Sequence, residues 1–226
     1  HWTGAAWESI EVPKAILDAL AGNIPNRPAN AAWIKVNVVL TATADGFLVG
    51  ATTQISLQPR DGQQAGELIL QPALYAWKKK DKTWTSQTLA TGATVNAIAI
   101  GPTGGVHLAL QGPVPNAPSE HGTAPTDATV NVWDGSKVTP VGGKFNGMVS
   151  QLFFRGDELY AAGAFTHAGD SWVNSIARWD GSAWKALATG LASPQLTAGT
   201  VFEAGASAKG MIYVVGRFVK AGDVPV

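Results

Sequence analysis

Trp172 stands with His167, Asp170 and Asn174 in the segment His167-Ala168-Gly169-Asp170-Ser171-Trp172-Val173-Asn174. An indole beside an imidazole, a carboxylate and an amide matches what a sugar subsite needs. The ring offers a plate for C–H stacking, and the polar groups offer partners for hydroxyls. The bland alternative is that Trp172 folds back on its own structural unit, as large aromatics usually do. These four residues are the candidate ligand-binding set.

The other reactive side chains support less. The four histidines are His1, His107, His121 and His167. No two have metal-ligand spacing, and His107 alternates within a strand pattern, so no metal site is expected. An N-terminal His1 could chelate copper through its amine and ring, but it occupies a position that Arg178 fills elsewhere, so a cut chain explains it better. The chain has no cysteine, which removes disulfides and thiolate metal sites. Asp45-Gly46, Asp134-Gly135 and Asp180-Gly181 read as turns, with no Asp-x-Asp-x-Asp run for calcium. No Gly-x-Ser-x-Gly elbow or phosphate-binding glycine loop is present. A glycosidase or lyase would draw on Glu203 and Asp223, with Asp18 and Glu120 on long loops, yet nothing in the sequence pairs these acids. The reading favours a non-catalytic module with no cofactor.

Sixteen basic and sixteen acidic residues give a net charge of zero. The only basic cluster, Lys78-Lys79-Lys80, falls in a hairpin turn, so nucleic acid is not an expected partner. No apolar run reaches the length of a membrane span, and no signal peptide is visible. No asparagine lies in an Asn-x-Ser/Thr sequon. Few charges, much Gly, Ala, Thr and Trp, and no Cys fit a bacterial surface or secreted β protein, with a periplasmic one as the alternative.

What positions these residues is a repeat. Arg178-Trp179-Asp180-Gly181-Ser182-Ala183-Trp184-Lys185-Ala186-Leu187 matches His1-Trp2-Thr3-Gly4-Ala5-Ala6-Trp7-Glu8-Ser9-Ile10. Val132-Trp133-Asp134-Gly135-Ser136-Lys137-Val138 repeats it, and Ala76-Trp77 through Thr83-Trp84 is a copy with a longer turn. All tryptophans except Trp33 and Trp172 belong to this motif. Asp-Gly supplies a tight positive-φ turn and the flanking Trp residues pack against the neighbouring unit. The units are read as 7–78, 84–133, 138–179 and 184–226 of one domain, each four antiparallel strands taken in the order D, A, B, C. In the third unit these are 138–141, 148–154, 159–165 and 175–179; in the first, residues 7–12 open the unit. One helix is expected from Lys14 to Ala21, after Pro13 and closed by Gly22.

The stretch Leu159-Tyr160-Ala161-Ala162-Gly163-Ala164-Phe165-Thr166-His167-Ala168-Gly169-Asp170, followed by Asn174-Ser175-Ile176-Ala177-Arg178-Trp179-Asp180-Gly181-Ser182-Ala183-Trp184, resembles the repeat of kelch or galactose-oxidase-like β-propellers. Such repeats are common in bacterial cell-surface proteins and fungal cortical polarity-marker proteins. The likeness is strongest over 138–222, weaker over 84–133 and faint before that. It implies a β-propeller fold and an extracellular habit, and it leaves function open. The Tyr–Cys copper radical of galactose oxidase is excluded by the missing cysteine.

Phe165-Thr166-His167-Ala168-Gly169-Asp170 recurs as Phe218-Val219-Lys220-Ala221-Gly222-Asp223, so Val226 aligns with Val173 and the chain is four units long. It is expected to be an arc of a larger propeller, or else a four-bladed ring closed by its N-terminal strand. In either case the Met211 to Phe218 edge needs a following segment, a second chain or residues 2–10 to cover it. The A–B and C–D turns are short, whereas the D–A and B–C connections carry the insertions 13–32, 56–72, 112–128, 166–174 and 188–199. Insertions gathered on one side decorate the binding face of a repeat array. The expected function is therefore a secreted or cell-surface propeller that binds a glycan or protein partner through this long-loop face, with Pro113 to Pro125 as a flanking wall. The rivals are a propeller glycosidase or lyase using funnel carboxylates, and a structural subunit of an extracellular assembly.

Overall fold

The computed structural model describes residues 9–20, 29, 31–57, 66–69, 72–89, 93–112, 127–192 and 200–225. Residues 1–8 of the first motif copy, the proline-rich loop 113–125 with Glu120 and His121, and Val226 lie outside them. Within them the chain is all-β apart from one helix, α1 (Lys14–Leu20). Pro13 starts that helix with its fixed φ, and its carbonyl accepts from the N–H groups of Ile16 and Leu17. A Lys14–Asp18 ion pair one turn apart supports it.

The first sheet contains β1 (Ala31–Thr43), β2 (Gly46–Leu57), the short β3 (Gly66–Ile69), β4 (Ala73–Lys78) and β5 (Thr83–Thr88), with β3 paired to the end of β2. The second runs in chain order through β6 (Thr94–Ile100), β7 (Val106–Gln111), β8 (Ala128–Trp133) and β9 (Val138–Pro140). The third contains β10 (Met148–Arg155) and β11 (Glu158–Ala164). A hairpin of β12 (His167–Ala168) and β13 (Ser171–Trp172) follows, and β14 (Ile176–Trp179) and β15 (Trp184–Ala186) complete that sheet. After β16 (Leu191–Ala192), the fourth sheet has two described strands, β17 (Thr200–Ala206) and β18 (Ile212–Arg217). The small strands β19 (Lys220–Ala221) and β20 (Val224–Pro225) then join β16.

Every large sheet is antiparallel and starts on its A strand, so the sheet boundaries fall one strand away from the units drawn on the sequence. The reason is the Asp-Gly hairpin. It pairs strand C with the D strand that follows, as in Trp133↔Val138 and Trp179↔Trp184, and the longer turn 79–82 does the same for Trp77↔Trp84. A second difference concerns the segment expected to be strand up to Val12. Residues 9–12 take no strand conformation, and instead the Glu11 carbonyl accepts the indole N–H of Trp84 at 2.9 Å.

The hairpin turns are held by their aspartates. The Asp180 carboxylate accepts from the N–H groups of Ser182 and Ala183 and from the Ser182 hydroxyl, while Gly181 takes φ +98°. Asp134 repeats the arrangement with Ser136 and Lys137. These donors hold both carboxyls below the usual carboxylate range. A depressed folded pKa gives stability that is present above the unfolded value near 4 and is lost as pH falls toward the folded value. Asp180→Ala is therefore expected to lower the melting temperature at neutral pH. The gap from the parent chain should narrow steadily as pH falls below about 4. A gap constant across that range would contradict this role.

Three cores lie between the four sheets. Leu48 and Leu74 of the first sheet meet Val95, Ile98, Leu108 and Leu110 of the second. Ala97, Ala99, Ala109 and Val130 of the second meet Val149, Leu152, Leu159 and Ala161 of the third. Phe153, Tyr160, Ala162 and Ile176 of the third meet Val201 and Ala204 of the fourth. The A strands β1, β6, β10 and β17 stack in succession across these interfaces. Sandwiching explains the apolar run Thr94–Ile100, which is largely buried on both faces. The last strand of the fourth sheet, β18, alternates half-buried and exposed along its length.

Candidate functional site

Strand β11 leaves the A–B turn at Gly156-Asp157 and ends at Ala164, so the β12–β13 hairpin sits at the opposite end of the third sheet from that turn. Its base is anchored by apolar burial. Phe145, Phe165, Ala168 and Val173 are all buried, and the Phe145 and Phe165 rings meet edge to face at 4.8 Å. Ala168 also bridges to Phe145, and Gly169 N–H donates to the Lys144 carbonyl.

Asn146 brackets the start of the hairpin. Its Oδ1 accepts from the backbone N–H groups of Thr166 and His167, and its Nδ2 donates to the Thr166 hydroxyl at 2.8 Å. Thr166 Oγ1 in turn lies 2.9 Å from Nδ1 of His167. With its backbone and one ring nitrogen both held, His167 presents its ring edge-to-face to Trp172, with centroids 4.8 Å apart. The imidazole packs against the indole on one side while Trp172 stays 57% exposed. Asp170 is exposed at the tip of the turn.

Asn174 differs from its three companions. It is buried, it has φ +47°, and its Nδ2 donates to the Thr189 carbonyl at 3.3 Å. Its Oδ1 is buried without a hydrogen-bond partner. Asn174 therefore belongs to the floor of the site and not to its exposed rim. Asn tolerates left-handed backbone, and here Asn174 at φ +47° with Ser175 at φ +72° turns the chain into β14.

Sequence reasoning did not single out Asn146. No local pattern marks it, because its partners come from the B–C connection of the same unit. The other candidates are not on this hairpin. His107 is half-buried, its ring packs edge-on against Phe154, and burial lowers its pKa. Asp18 is paired with Lys14, Asp223 accepts from Thr189 at 3.4 Å, and Glu203 is exposed on β17. Among the described residues no three His, Asp or Glu side chains cluster as a metal site would require. No described helix is long and apolar enough to cross a membrane.

The repeat supplies an internal control for Trp172. The equivalent stretch Phe218 to Pro225 builds the same hairpin from β19 and β20, with Lys220 at the place of His167 and Pro225 at the place of Trp172. The scaffold thus forms without an aromatic pair, and the indole is an addition to it. Comparison with known proteins gives no further guide: no family model, no curated protein and no solved structure matches this chain.

Proposed function

We propose that the stacked sheets are part of a kelch-like or galactose-oxidase-like β-propeller, secreted or exposed at a bacterial cell surface, that binds a glycan without catalysis through its long-loop face. One observation carries the reading. Trp172 is exposed and packed on one side against His167, on a hairpin that its sister unit builds with proline and lysine instead. A rigid plate costs little ordering entropy on binding, which is what a shallow sugar subsite requires. Asp170 at the hairpin tip and the ring of His167 supply the polar groups beside that plate. Screening the intact chain on a glycan array tests the proposal. Hits that share a sugar with an apolar C–H face are expected. An array without hits would remove the glycan from the account.

A further inference from the structure

Successive sheets pack against one another in the same order three times, and the stack leaves one face free at each end. Register makes the equivalence explicit. Each of the last three sheets carries a bulge early in its A strand, between Val95 and Ala97, Val149 and Gln151, and Val201 and Glu203. Counting from it, Ala109, Ala162 and Val215 are equivalent, as are His107, Tyr160 and Tyr213. Ala109 and Ala162 are fully buried against the next sheet, and Tyr160 is 2% exposed, stacked on Phe153. In the fourth sheet the same positions are open: Val215 is 57% and Tyr213 53% exposed, with Phe202 beside them at 57%. Tyr213 lies flat across this face, its hydroxyl over Gly205.

At the other end, Asn37 reaches into the second sheet and donates to the Val95 carbonyl. Alternation therefore turns Val38 and Leu40 away from that sheet, where they are 47% and 67% exposed. Helix α1 packs on β2. Inside the array it is the A strand of one sheet that meets the face of the sheet before it. The β1 row is thus the counterpart of the fourth sheet's face.

We infer that this chain associates with a second copy of itself head to tail, the Phe202–Tyr213–Val215 face of one copy taking the Val38–Leu40 row of the next. The contact continues the sheet-on-sheet packing that the fold already repeats, and it is heterologous, each copy contributing a different face. This inference stands apart from the glycan reading and needs no residue of the Trp172 hairpin.

Sedimentation velocity over a concentration series tests it with Leu40→Lys and Val215→Lys, both at exposed positions. The parent chain should form dimers or longer species. Each variant alone should be monomeric, and an equimolar mixture should regain a dimer, because each copy keeps the half that the other lacks. A short bis-maleimide reagent on the cysteine-free background gives a second readout. Leu40→Cys mixed with Val215→Cys should crosslink, and either variant alone should not. A monomeric parent, a mixture that stays monomeric, or self-association of Leu40→Lys through its fourth-sheet face would each overturn the inference.

Discussion

Replacing Trp184 with alanine is expected to cost about 3–5 kcal/mol of folding stability, the range for a fully buried aromatic. The side chain is 1% exposed and sits in the core shared by the second and third sheets. Its ring packs against Phe145 at 5.1 Å and Trp179 at 5.4 Å, and its indole N–H donates to the Val141 carbonyl at 3.2 Å. Removing it opens a cavity and orphans that acceptor at the seam between two sheets. The space cannot close cheaply, because Gly142 lies with φ +72° directly against both indoles. Urea unfolding should show a lower midpoint with an unchanged slope. A loss under about 1 kcal/mol would mean that the sheets are not held together by this motif.

Gly190→Ala is the second large effect, expected at roughly 2–4 kcal/mol from left-handed strain together with overlap. Gly190 has φ +76°, and a Cβ there would lie 2.3 Å from the Asn174 carbonyl oxygen and 2.8 Å from that of Val173. It also ties the two sister hairpins together. Its carbonyl accepts from Gly222, and the next residue, Leu191, donates to Asn174. The variant should therefore loosen the floor beneath Trp172 as well as lower stability. Gly181→Ala provides the comparison. Its φ is also positive, at +98°, but nothing lies within 4 Å of the added carbon, so only backbone strain of about 1 kcal/mol applies. Equal effects of the two substitutions in thermal melts would contradict the packing described at Gly190.

The contrast between these glycines shows what a sequence can convey. The Trp–turn–Trp motif is local, so the hairpins and the antiparallel order were legible from it, and the helix was legible from Pro13 at its start. The ends of elements were less so. β3 and β16 fall in stretches that read as loops, because each is made by a partner strand from elsewhere in the chain. Residues 9–12 look like a strand by analogy with Trp184 to Leu187, yet they take their hydrogen bond from Trp84 in the first sheet. At the candidate site, the types and spacing of His167, Asp170 and Trp172 were readable. The burial of Asn174 was not, since it is imposed by Thr189 and Gly190 across a separate connection.

The measurement that bears most directly on the account is a calorimetric titration of the strongest array glycan into the parent chain and into Trp172→Ala. Thermal melts should match, because Trp172 is exposed and the sister hairpin folds with Pro225 in its place. Affinity should fall by on the order of 1–3 kcal/mol, roughly 5- to 150-fold in Kd, for loss of the stacking plate. Matched melts with an unchanged Kd would contradict the account and take the binding site away from this hairpin.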